Sequence, residues 1–137
     1  MDSDTWSSGQ NIPSAKAGNS ETTVLNGKLY QVGGEGPNAG RWSPEFEEYD
    51  PSSNSWSFRA NWQSPRRDIG VGTIGDKIYV VGGHNNYSNM SSGLDIYDYS
   101  MDLWGNGQNY PIQIDGAAVI AFNGKLYSFG GHTGPNQ

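Results

Sequence analysis

The chain has 137 residues, enough for one domain of ordinary size, and carries a net charge of −6, 20 glycines, 7 prolines and no cysteine. The missing cysteine excludes disulfide staples, thiolate catalysis and cysteine-ligated metal, and leaves the redox compartment open. The acidic balance lacks the basic footprint of a nucleic-acid binder, no apolar run approaches membrane-spanning length, and the polar start MDSDTWSSGQ is unlike a secretion signal, so localisation stays undetermined.

In chain order, the first landmark is Trp6, in a short segment that reads as an outer strand. A strand then leads to the turn Asn26-Gly27, a pair suited to tight hairpins because both central residues need positive φ. The next strand, 28-KLYQVGG-34, ends on a diglycine. After the loop 35–44 come Tyr49-Asp50 and, past a turn, Trp56. A second pass follows: the small β-branched strand 69-IGVGTI-74, the turn Gly75-Asp76, the run 77-KIYVVGG-83, the loop 84–93, the strand 94-LDIYD-98 and Trp104. A third pass starts near residue 116, turns at Asn123-Gly124 and runs through 125-KLYSFGG-131. Nowhere does a stretch of ten or more residues carry apolar positions at the helical period.

The passes are a repeat. The diglycines begin at Gly33, Gly82 and Gly130, spacings of 49 and 48, and Tyr30, Tyr79 and Tyr127 share that period. Trp6, Trp56 and Trp104 lie 50 and 48 apart, and Tyr49 and Tyr97 lie 48 apart. Four landmarks in one order at one spacing indicate a modular β-fold. The pattern Gly-Lys-aliphatic-Tyr, Gly-Gly, Tyr-Asp, Trp resembles the kelch repeat, one blade of a β-propeller, over nearly the whole chain. The resemblance implies an all-β fold with four antiparallel strands per blade. Blades are expected at 20–59 and 69–107, an outer strand of an incomplete blade at 1–9, and the inner half of a blade at 116–131. A blade covered on both sides by its neighbours accounts for the continuous apolar run of 77-KIYVV-81. The diglycine would let a neighbouring chain approach without a Cβ in the way, with Tyr and Trp rings filling the space between blades.

About three units cannot close a ring, since propellers typically have about four to eight blades, and open ends expose apolar flanks. A second copy closing a six-bladed ring, with the Trp6 strand completing the partner's last blade, is the expected solution. The other is that the chain is half of a longer propeller.

Strand direction places the 1–2 and 3–4 turns on one face and the long 2–3 and 4–1 connections on the other, the face on which kelch propellers commonly bind partners. Loops on a rigid scaffold are where binding residues concentrate. Candidate ligand-binding residues there are Arg41, Trp42, Arg59, Trp62, Arg66, Arg67, His84, Tyr87, Tyr110 and His132: forked cations and flat rings suit carboxylates, sugars and peptides. The first and third units place Ala17-Gly18 and Ile114-Asp115 opposite Arg66-Arg67. Glu35, His84 and His132 share the position after the diglycine. Adjacent blades hold that position too far apart for shared ligation, so neither a metal nor a cofactor is expected. The leading reading is a non-enzymatic module for a protein, peptide or glycan ligand, with no nucleic-acid or membrane partner. The alternative is a carbohydrate-active kelch enzyme of the sialic acid mutarotase kind, with His84 and one of Glu35, Glu45 or Glu47 as an acid/base pair. The kelch copper oxidases use a cysteine-linked tyrosine, which this chain lacks.

Overall fold

The computed structural model describes residues 4–37, 41–85 and 89–134; Tyr87 lies outside them. Ten strands are present among these residues, in three antiparallel sheets that each follow chain order. The first blade is β1 (Ala17–Leu25), β2 (Lys28–Glu35), β3 (Glu47–Asp50) and β4 (Ser55–Phe58). The second is β5 (Gly70–Ile74), β6 (Lys77–Val81), β7 (Leu94–Asp98) and β8 (Leu103–Asn106). β9 (Ala118–Phe122) and β10 (Lys125–Phe129) pair as the inner half of a third. The hairpin turns follow their residues: Asn26 and Gly27 both take positive φ, as do Asn123 and Gly124.

The core lies between the first two blades. Tyr30, Val32 and Phe46 of the first meet Ile69, Ile78, Val80 and Tyr97 of the second, all buried. Phe46 is the hub. Its ring stacks on Tyr30 at 5.5 Å and meets Tyr97 and Trp104 edge-on at 4.6 and 5.0 Å. Trp62, from the link between blades, stacks on Trp104 at 5.7 Å. These rings fill the inter-blade space, and edge contacts add to their area burial.

The diglycines have the role their lack of side chain implies. A Cβ on Gly33 would collide with the carbonyl oxygen of Arg66, and one on Gly82 with that of Ile114. In both cases the obstacle is the backbone that leads into the following blade. The amide of the second glycine then bonds to the same carbonyl: Gly34 N to Arg66 O at 3.3 Å and Gly83 N to Ile114 O at 2.8 Å. Gly130 has open space where that backbone would be, and Ile120, Phe122 and Phe129 on the same flank are about 60% exposed.

The repeat also holds one irregularity. The β1–β2 register shifts between Ala17 and Ser20, which adds a residue to the first inner strand. Lys16, not Ala17, therefore takes the place of Arg66: Lys16 pairs with Glu47 at 3.0 Å as Arg66 pairs with Asp95 at 2.5 Å.

Candidate functional site

The long connections meet on one face and are laced together. Two reciprocal backbone bonds join Arg67 to His84 (3.1 and 2.9 Å), and two join Asp115 to His132 (3.1 and 2.8 Å). Ile114 N bonds to Ser91 O at 3.1 Å, and Tyr110 N to Ser92 O at 2.7 Å. These bonds fix the backbone from which Arg67, His84, Tyr110 and His132 project.

Arg66 is buried and already engaged. Nε donates to Gly82 O at 2.6 Å, Nη2 reaches Asp95 and Nη1 reaches Ser64 O at 3.3 Å, while its guanidinium lies 4.8 Å from the Trp62 ring centre. Trp62 is only 2% exposed. Arg59 sits toward the short-turn side, bonded twice to Glu48 (2.8 and 2.6 Å) and 5.2 Å from the Tyr99 ring centre. Glu48 also accepts from Lys28 Nζ at 2.7 Å and Tyr30 Oη at 2.5 Å. Burial alone would push its carboxyl up, but these bonds together hold it below the usual carboxylate value. Trp42 is buried under the Arg67 guanidinium, 4.8 Å away, Arg41 is exposed, and Tyr110 is half-buried.

Two features lie on the long-loop side. One is a cavity of about 460 Å³ between the three connections, lined by Ser64, Arg66, Asn85, Ser92, Asn109 and Gln113 among others. Apart from the engaged Arg66, those groups are neutral amides and hydroxyls, which both donate and accept hydrogen bonds.

The other is a cluster at the start of the inner strands. His84 Nδ1 lies 2.6 Å from Asp115 Oδ2 and 3.8 Å from Asp68 Oδ2, and His132 Nδ1 lies 3.4 Å from Asp115 Oδ1. The 2.6 Å contact is close enough for a strong bond, yet Nδ1 is buried and makes no aligned hydrogen bond. Asp68 is placed by its own strained backbone, φ 53°, and by bonds from its amide to Asn19 O and from Gly116 N to its carbonyl. Asp68 and Glu21 border a second cavity of about 470 Å³ between the inner strands. Burial, and then the charge of Asp68, push the Glu21 carboxyl up.

His84 and His132 were singled out by their place in the repeat. Asp68 and Asp115 were not, because no spacing rule ties residue 68 to 115 across a blade boundary. Among the proposed acid/base partners, Glu47 is held by Lys16 and by Ser14 N at 2.9 Å, and Glu45 accepts from Ser43 Oγ at 2.6 Å. The carboxylates beside His84 are Asp68 and Asp115 instead.

Comparison with known proteins agrees with the strand pattern. The family model described as the Kelch motif matches residues 17–61 and 65–106. The chain is similar to Kelch-like protein 15 of Danio rerio, 35% identical over 113 residues, covering 80% of this chain and 18% of that protein. It is 30% identical over 112 residues to beta-scruin of Limulus polyphemus, covering 78% of this chain and 12% of that one. An F-box/kelch-repeat protein of Arabidopsis thaliana is 31% identical over 115 residues, covering 82% and 31%. The chain thus spans under a third of the length of these relatives. The solved structure titled "Structure of YjhT" superposes with a TM-score of 0.75 at 18% identity, over 88% of this chain and 45% of that one, a likeness of fold.

Proposed function

Since the chain belongs to the kelch repeat family, we propose that it is a non-enzymatic binding module whose long-loop face holds an extended peptide. The observation that carries this reading is the group of amides and hydroxyls that lines the 460 Å³ cavity beside Arg66, Pro65 and Met90. Main-chain amides of a bound segment alternate donors and acceptors, and Ser92, Asn109 and Gln113 match both. Exposed Arg41 adds a cation beside this face for an acidic residue of the ligand. Probing peptide and glycan arrays with the chain tests the reading. Peptide binding should fall about fivefold in each of Asn109→Ala and Gln113→Ala, the worth of one hydrogen bond of about 1 kcal/mol. Binding confined to glycans would support the sugar-enzyme alternative, which His84 beside Asp115 favours, above all if His84→Ala abolished turnover. No binding to either array would end both.

We also propose that a second copy covers the β10 flank. The supporting observation is that residues 10–16 run along the first blade as 60–66 run along the second: Trp56 Nε1 donates to Gln10 O at 2.9 Å, as Trp104 Nε1 donates to Ala60 O at 2.8 Å. In the partner, that segment would set the Lys16 carbonyl against Gly130 and the Gly131 amide, as Arg66 and Ile114 do at the earlier diglycines. Light scattering should find a dimer that Gly130→Trp converts to monomer; a stable wild-type species of 14.9 kDa would overturn the proposal.

A further inference from the structure

We propose that Asp68, His84 and Asp115 form a binding site for a divalent ion of the zinc type. One ligand atom from each lies within 4.8 Å of the other two, so that small side-chain shifts would bring all three to the roughly 2.0–2.2 Å at which zinc is bound. One imidazole nitrogen with two carboxylate oxygens is a donor set suited to zinc and its first-row neighbours.

The burial of two of the cluster's members points to a ligand. The Asp115 side chain is nine-tenths buried, and the Nδ1 atoms of His84 and His132 lie 2.6 and 3.4 Å from its two oxygens. The His84 Nδ1 is buried and lies 2.6 Å from Asp115 Oδ2 without the alignment of a hydrogen bond. Buried polar groups are ordinarily satisfied, and those that are not call for an explanation such as an ion. A cation at the centre of the cluster would give the His84 Nδ1 a partner.

The frame is preorganised. Paired backbone bonds fix Arg67 to His84 and Asp115 to His132, and bonds to Asn19 and from Gly116 hold Asp68. The 470 Å³ cavity bordered by Asp68 and Glu21 adjoins the cluster at Asp68. One group opposes the ion: Arg67 Nε lies 3.3 Å from Asp68 Oδ2. Its guanidinium, held over Trp42, lowers the affinity below that of a dedicated structural zinc site. His132, largely exposed, has its Nδ1 3.4 Å from the other oxygen of Asp115.

Calorimetric titration of chelator-treated chain with zinc chloride tests this. One saturable site per chain is expected, weakened at least about tenfold in Asp115→Asn and in His84→Ala. Imidazole NMR of the wild-type chain reads the same site without a variant: His84 signals should shift and saturate with zinc in step with the heat. No saturable binding, equal affinity in wild type and both variants (an adventitious ion only), or His84 signals unmoved by bound zinc would each overturn the proposal.

Discussion

The junction between the first and second blades and the junction between the second blade and β9–β10 share one backbone plan and differ in their contents. At the first, Arg59 N bonds to Phe46 O and Trp62 N to Pro44 O, both at 2.9 Å; at the second, Gly107 N bonds to Leu94 O at 2.8 Å and Tyr110 N to Ser92 O at 2.7 Å. The side chains on that plan diverge. Phe46, Glu48, Arg59 and Trp62 become Leu94, Ile96, Gly107 and Tyr110. With no outer strands on β10 among the described residues, Val81, Leu94, Tyr110 and Leu126 line an open cleft of about 370 Å³ instead of a sealed core. The lesson is that connection geometry is set blade by blade through local backbone bonds. Stability comes from the rings that the outer strands and the links add.

Paired substitutions at matching positions would break that comparison if it is wrong. The largest difference is expected between Trp62→Ala and Tyr110→Ala. Trp62 is 2% exposed, and removing it should cost about 4 kcal/mol in urea unfolding. The half-buried Tyr110 should cost about 1 kcal/mol by its smaller loss of buried area. Equal losses would mean that the second junction is as closed as the first.

Next is Glu48→Ala, which leaves Arg59 without the carboxylate that holds it. A loss of about 3 kcal/mol is expected, the usual cost of breaking a largely buried pair, whereas Ile96→Ala at the matching site should cost less.

Gly33→Ala should cost about 3 kcal/mol, because it combines positive φ with a backbone carbonyl in the way. Gly130→Ala keeps the φ penalty but meets no atom, so about 1 kcal/mol is expected at protein concentrations low enough to keep the chain monomeric. A larger loss at Gly130 that grows with concentration would sharpen the case for a second copy on that flank.

The smallest effect is one of pH. Glu48 has its folded pKa held below the ordinary 4.5. Its contribution is therefore fully present above the unfolded value and is lost as pH falls through the folded one. Unfolding free energy should decline below about pH 4.5, and Glu48→Gln should flatten part of that decline. An unchanged acid limb in the variant would show that the network around Arg59 does not depend on the charge of Glu48.

Much of the architecture was legible because it is written locally. The tight turns follow from Asn26-Gly27 and Asn123-Gly124, and the repeat follows from landmarks that recur at a fixed spacing. The apolar run Ile78–Val81 anticipated a strand packed between neighbours. Each of these depends on residues close in the chain and on φ preferences or periodicity that no distant contact can alter. The state of the charged and aromatic candidates depended on something else. Arg66 and Trp62 look like ligand groups until Asp95, Gly82 and Trp104 close around them. One bulge between Ala17 and Ser20 was enough to move the counterpart of Arg66 to Lys16. Asp68 and Asp115 acquire a relation to His84 only where two blades meet. Composition and spacing set the modules; the burial and partnering of each polar group came from contacts between segments tens of residues apart, which no local pattern encodes.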